Sequence, residues 1–216
     1  MYVVENILPE IEPEETFKSL GYNKDNKPSS AVLEIIESTL DSILDNTRLL
    51  AAYYIIRDFE VGSKSLHTRC ASIESAHIAR FAVSAQDMLI ALFTLKEPED
   101  ARENNIAQDF IEHGLKAYAL ERAQLRVMEK ISRERNKYIS LPFSPGYCDW
   151  ELSGQELIMK HLDPKALDVR IHTDTYSMLP VYSISCVSFL GYENMENNPC
   201  KYCNMKYTCK QSRYLP

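Results

Sequence analysis

Leu141-Pro142-Phe143-Ser144-Pro145-Gly146-Tyr147-Cys148-Asp149-Trp150 is the stretch on which the reading of this chain turns. Two prolines and a glycine in ten residues exclude a continuous helix or a central strand, because proline lacks the amide hydrogen that either ladder needs. The stretch is therefore an aromatic loop between two differently patterned regions. Upstream, Glu99 to Lys137 contains no proline and one glycine, and Ile106, Phe110, Ala117, Leu120, Leu125, Met128 and Ile131 fall near helical spacing. That pattern predicts one long helix with Gly114 as its candidate break. Downstream, Ser153 to Leu162 reads as a helix closed by Asp163-Pro164. Val169 to Thr175 and Val181 to Leu190 alternate β-branched and polar residues around Met178-Leu179-Pro180, which predicts two strands of one antiparallel hairpin.

Further outward, Leu33, Ile36, Leu40, Ile43 and Leu44 step by three and four, so Ala31 to Asn46 is predicted helical with Glu34, Glu37, Ser38 and Asp41 turned to water. A short helix is expected over Glu14 to Leu20, stopping at Gly21, and a loop over Tyr22 to Ser29. Tyr53 to Val61 suits a strand ending at Gly62, and Ile73 to Val83 a short helix. Met88 to Leu95 is an almost unbroken apolar octet whose length favours a fully buried strand over a buried helix. Together these elements predict an α+β fold divided into an arm (1–29) carrying a short helix, an α+β domain (30–192) and a cysteine-bearing tail (193–216).

Composition narrows the functions. Lys and Arg total 24 against 31 Asp and Glu, a formal charge of −7, so a broad basic surface for nucleic acid is missing and none is expected as a partner. Six glycines in 216 residues provide no P-loop and no Gly-x-Gly-x-x-Gly turn, which excludes nucleotide hydrolysis and dinucleotide chemistry of those types. No apolar run approaches the roughly 18–20 residues that span a bilayer, and Met1-Tyr2-Val3-Val4-Glu5-Asn6 has no charged n-region before an apolar run. A soluble cytoplasmic protein without a membrane partner is expected.

Lys137-Tyr138, Ser144-Pro145-Gly146-Tyr147, a short helix, and then Met178-Leu179-Pro180-Val181-Tyr182-Ser183-Ile184-Ser185 occur in an order and spacing that resembles the reactivation domain of cobalamin-dependent methionine synthase. There the loop typically reads Arg-Pro-Ala-Pro-Gly-Tyr and the later motif roughly Met-x-Pro-x-x-Ser-Val-Ser-Gly. The likeness covers about Glu99 to Tyr192, and Leu20-Gly21-Tyr22 before a helix looks like free-standing relatives of that domain. It implies long helices flanking a twisted antiparallel sheet. It also implies a stand-alone accessory component, more a partner than an independent enzyme. Such a component docks on a separate cobalamin-binding methyltransferase and binds S-adenosylmethionine, so that reduction of oxidised cobalamin by a donor such as flavodoxin or ferredoxin is drawn forward by methylation.

By that resemblance, Ser144, Pro145, Gly146 and Tyr147 hold S-adenosylmethionine, Glu121 faces its amino group, and Ser183 and Ser185 line the same cleft. The residues themselves suit this: Pro145 fixes φ before a glycine that lets backbone approach a ligand, and Tyr147 offers a flat face and a hydroxyl. The chain departs from the family pattern where Pro142 replaces an arginine suited to the methionine carboxylate, Phe143 replaces the next proline and Cys186 replaces the last glycine. Proline has no side-chain donor, so either another cation such as Arg80 or Arg122 substitutes, or the docking surface persists without the ligand.

Cys200, Cys203 and Cys209 form a Cys-x-x-Cys-x5-Cys array in which a single tight turn can present two thiolates to zinc or an iron–sulfur cluster. A fourth ligand has to come from Cys148, Cys186 or a histidine. These features support an alternative, a metal-binding redox or scaffold protein that contacts a corrinoid protein without S-adenosylmethionine. Each sharp reading has a plain counterpart: Tyr147 and Trp150 as core aromatics, Glu121 on a solvated charged helix face, Ser183 and Ser185 on an exposed strand face, the tail cysteines as free thiols. His77, His113, His161 and His172 share no metal spacing and read as surface or satisfied histidines.

Overall fold

The structure is a computed structural model that describes residues 3–7, 9, 11–97, 106–193, 199–201, 203 and 206–207. Strand β1 (Val3–Ile7) leads to α1 (Pro13–Ser19) and α2 (Ser30–Asn46), then to β2 (Arg48–Ile56), β3 (Phe59–Val61), β4 (Ser65–Thr68), β5 (Ser72–Glu74) and α3 (Ala76–Ala82). Next come β6 (Asp87–Lys96), α4 (Ile106–Arg135), β7 (Tyr138–Ile139), α5 (Gln155–His161), the short pair β8 (Arg170–Ile171) and β9 (Met178–Leu179), and β10 (Ser183–Gly191). The main sheet has the order β1-β2-β6-β10-β7, and all its pairs are antiparallel.

The predicted α+β class matches this mixture of helices with an antiparallel sheet. Met88 to Leu95 forms the sheet's central strand because it has no polar face to offer water: nine of the ten residues of β6 are buried. Its neighbours sort their side chains by alternation. Leu89, Ala91, Phe93, Cys186 and Leu190 face a core shared with α2 and α4, whose Ile36, Ile43, Leu115, Leu120 and Val127 pack there. Met88, Ile90, Leu92, Val187 and Phe189 face a second core built from Leu66, Ile73, Ile78, Phe143, Trp150 and Ile158. The aromatic loop is thus part of the fold's interior on one side of the sheet.

Helix α2 starts where Ser29 Oγ accepts from the Val32 amide at 3.4 Å, an N-cap. Helix α4 runs 30 residues without interruption. Gly114 does not break it; a Cβ there would lie 2.5 Å from Leu20 Cδ2, so the glycine lets the end of α1 seat against the helix. At its far end, Lys137 Nζ, partly buried, lies 2.7 Å from the buried Asp87 Oδ2, which fixes the exit of α4 to the start of β6.

Several expectations change. The arm contributes β1 as well as a helix, paired from Val3↔Tyr53 to Ile7↔Leu49. The strand expected over Tyr53 to Val61 begins at Arg48 and breaks at Arg57-Asp58, with β3 joining a small sheet of order β3-β4-β5. Ile73 lies in β5, not in a helix, so only Ala76–Ala82 is helical. The predicted hairpin does not form: β8 pairs with β9, and β10 pairs with β6 over Ser183↔Thr94 to Leu190↔Asp87. The reason is burial. Every residue of β10 from Ser185 onward is buried, so it belongs in the main sheet, whereas the mostly exposed segment around Arg170 cannot cover it.

Candidate functional site

One strand and one loop set up the site. Val187 exchanges both backbone hydrogen bonds with Phe143, at 2.8 and 2.9 Å, and the Phe189 carbonyl accepts from the Ser140 amide at 2.8 Å. The odd-numbered residues of β10 therefore turn their amides and carbonyls away from β6, and by alternation Ser185 does so too. In the register set by Phe143↔Val187, the residue due opposite Ser185 is position 145. That residue is Pro145, which has no amide hydrogen for the Ser185 carbonyl, and Gly146 follows at φ +94°. The chain leaves the sheet there, closing the loop with Gly146 N to Trp150 O at 2.8 Å. Among the described residues, no strand covers the outer edge of Ser183 to Cys186.

A cleft of about 490 Å³ occupies the gap, with α4 as its third wall. Ser144, Pro145, Tyr147, Ser183, Ser185 and Glu121 all line it, so the kinked loop, the serine-bearing strand and the helix do meet. Gly146 borders the adjoining hollow with Tyr147 and Cys148 instead. The two serines differ. Ser183 Oγ is committed, donating to Pro180 O at 2.7 Å with Thr94 Oγ1 2.9 Å away. Ser185, only 2 % exposed, has no such side-chain bond to a described residue.

Sequence reading passed over three of the lining residues. Gln155 is buried at the start of α5, and its Oε1 has no hydrogen-bond partner among the described residues. A buried acceptor left unpaired costs on the order of 1–3 kcal/mol, so this atom is a place for a ligand's N–H. Its position in an ordinary amphipathic helix gave no signal. The second and third are a pair: His113 Nδ1 lies 3.0 Å from the Tyr182 hydroxyl at the cleft wall. Burial pushes the Tyr182 phenol above its usual range, and the nearby Lys116 ammonium, 5.3 Å from the ring centroid, pulls the other way. Burial alone would depress the Lys116 ammonium, yet its bonds to Glu112 and to Glu97, the latter at 2.7 Å, hold it above the ordinary lysine value.

The cations considered as replacements for an arginine at position 142 do not reach the cleft. Neither Arg80 nor Arg122 is among its lining residues; the basic groups there are His113 and Lys206, in a cleft that also holds the Glu121 carboxylate. Phe143 occupies a core position, 5.0 Å from the Phe81 ring and 6.0 Å from that of Phe189. Pro142 adds an apolar patch of wall.

The cysteines fall into separate environments. Cys186 is fully buried on the α4 side of the sheet, where Gln124 Nε2 donates to its sulfur at 3.2 Å; burial pushes its thiol up to about 12. It belongs to the core on the other side of the sheet from Cys148 and Cys203. Cys148, by contrast, lines the cleft together with Cys200 and Cys203. Burial first, then Cys203, Asp149 and Cys200 nearby, push the Cys148 thiol up to about 12. Cys209 lies outside the described residues. Among the described residues, no group of three histidine, cysteine or acidic side chains is close enough to hold a metal ion by itself. Nor, among them, is any helix long and apolar enough to cross a membrane.

No protein-family model matches the chain, and no curated protein matches it in sequence. In structure it is similar to the MetH reactivation domain bound to AdoHcy, with a TM-score of 0.62 over 90% of this chain and 79% of that one, at 10% sequence identity. The chain therefore has a fold like that of the MetH reactivation domain, and an identity so low carries the fold alone.

Proposed function

We propose that this chain is a stand-alone reactivation partner of a cobalamin-dependent methyltransferase of the methionine synthase type. In this reading it binds S-adenosylmethionine in the cleft and docks on the cobalamin domain. The observation that carries it is the meeting of the Ser144–Tyr147 loop with the uncovered edge of β10 over a cleft of about 490 Å³, a size that suits a nucleoside-type ligand. The fold neighbour is a domain bound to AdoHcy, which supports the same ligand class.

The residues present fit such a ligand in most respects. Glu121 would accept from the ammonium, Gln155 Oε1 from an exocyclic N–H, and the Ser185 backbone would read a base edge as a strand would. Tyr147, half exposed at the mouth, supplies a face for stacking. With Pro142 in the arginine position, the carboxylate falls to Lys206 or His113. Bound there, the sulfonium supplies the methyl group; the chain's own task is to orient it and exclude water. Val181, 69% exposed beside the cleft, and Tyr147 give the mouth an apolar rim suited to docking.

Calorimetry with S-adenosylmethionine tests the ligand, and capture of a cobalamin-loaded methyltransferase domain tests the docking. Micromolar binding weakened by Tyr147→Ala, together with capture, is the expected result. Capture without heat at millimolar ligand favours the second reading, a metal-binding redox or scaffold protein without S-adenosylmethionine, which the proline at position 142 supports. Failure of both measurements removes the proposal.

A further inference from the structure

We propose that the His113–Tyr182 pair is the carboxylate subsite of the cleft, and that it takes up one proton when an α-amino acid ligand binds. The inference rests on the reading of the cleft as a site for S-adenosylmethionine, and it names what stands in for the arginine that the resemblance puts at position 142. Both rings line the cleft, with centroids 5.4 Å apart and His113 Nδ1 3.0 Å from the Tyr182 hydroxyl. Tyr182 is fixed immediately before β10: its carbonyl accepts from the Leu95 amide at 2.9 Å and from Thr94 Oγ1 at 3.4 Å. The other cation lining the cleft is engaged elsewhere, since Lys206 Nζ donates to the Lys201 carbonyl at 3.2 Å and sits 5.1 Å from the Tyr207 ring centroid.

The helix wall is laid out for a zwitterion. His113, Ala117 and Glu121 follow at steps of four along α4 and line the same cleft. Eight residues of helix separate the two ends by about 12 Å, an interval that accommodates an α-amino acid between an imidazole and a carboxylate. Ala117, small and in the middle, leaves that space open. The proton enters because a neutral imidazole with an unprotonated Nδ1 takes the phenol hydrogen for itself. Once the ring is protonated from solvent, Nδ1–H donates to the phenol oxygen instead, and the phenol O–H turns to the ligand carboxylate beside a positive charge. Burial holds the Tyr182 phenol above its usual range, so it remains a donor at neutral pH. The charges nearest the pair are Asp109, Glu112 and Lys116 from α4 and Glu97 after β6, with Lys116 bonded to both Glu112 and Glu97. Glu121 and Lys206 are the other charged groups of the cleft.

The test is calorimetry of the full chain with S-adenosylmethionine and with its decarboxylated analogue, which lacks only the carboxylate, in buffers of different ionisation enthalpy. His113→Gln and Tyr182→Phe are compared with His172→Gln, a control outside the cleft. Affinity for S-adenosylmethionine should fall about tenfold between about pH 5.5 and about pH 7.5, with about one proton taken up per ligand at the upper end. The analogue should bind at least about tenfold more weakly at the lower pH and take up no proton. Either cleft variant should lose the proton uptake and the preference for the carboxylate while binding the analogue as the unaltered chain does, a pattern that a merely structural pair would not give. Equal affinity for the two ligands, pH-independent binding, or variants that weaken both ligands alike would overturn this inference and leave the reading of the cleft standing. Absence of heat with both ligands removes that reading, and this inference with it.

Discussion

The two halves of β10 share a strand and a sheet neighbour but not a fate. From Val187 to Gly191 the outer edge is closed by Phe143, Ser140 and β7, and every residue is buried. From Ser183 to Cys186 the same edge opens on a cleft, which Ser183, Ile184 and Ser185 line. The switch between them is Pro145, at the position where a further ladder bond would form. A missing amide hydrogen thus ends the ladder and leaves an open edge beside the cleft, and the covered half holds the open half in shape.

Perturbing the covered half should have the largest effect. Phe143→Ala removes a ring that is 2% exposed between Phe81 and Phe189, and a loss of about 3–5 kcal/mol in urea unfolding is expected, with the loop released from the sheet. In the open half the effects move from stability to binding. Tyr147→Ala should leave the unfolding midpoint nearly unchanged and weaken S-adenosylmethionine by about tenfold, corresponding to roughly 1.4 kcal/mol.

Gln155→Leu sharpens the contrast, because it removes a buried acceptor that has no partner among the described residues. Stability should hold or rise by about 1 kcal/mol while ligand affinity falls, an opposition that a purely structural glutamine would not produce. The serine pair gives a smaller test. Ser183→Ala loses the bond to Pro180 O and should cost about 1 kcal/mol, whereas Ser185→Ala should stay within about 0.5 kcal/mol in stability.

The buried Cys186 thiol makes stability pH-dependent in the alkaline range. Because burial raises the Cys186 thiol from 9.0 to about 12, the folded chain keeps a proton that the unfolded chain gives up in that window. Its contribution is complete below pH 9.0 and is lost as pH climbs toward about 12, so Cys186→Ala should flatten the fall in stability there.

Much of this was legible in the sequence where a single physical constraint dominated. The length of the apolar run Met88 to Leu95 favoured a buried strand over a buried helix, and the spacing of Leu33, Ile36, Leu40 and Ile43 pointed to an amphipathic helix. The loop was legible because two prolines and a glycine leave few alternatives. The pairing of β10 was not, since alternation fixes which face a side chain takes but not which strand lies alongside. Val3 to Ile7 is too short to announce itself as a strand before β2 accepts it. Gln155 was not legible because a polar residue acquires meaning from what fails to pair with it, and the His113–Tyr182 bond because it joins residues 69 positions apart, which only packing reveals.

Amide hydrogen exchange with and without S-adenosylmethionine addresses the proposed binding edge most directly. The expected result is slowed exchange at Ser185 and across Ser144 to Tyr147 together, with the covered residues Val187 to Gly191 unchanged. Exchange at Ser185 that is indifferent to saturating ligand, or protection confined to some other part of the molecule, would contradict the assignment of the cleft.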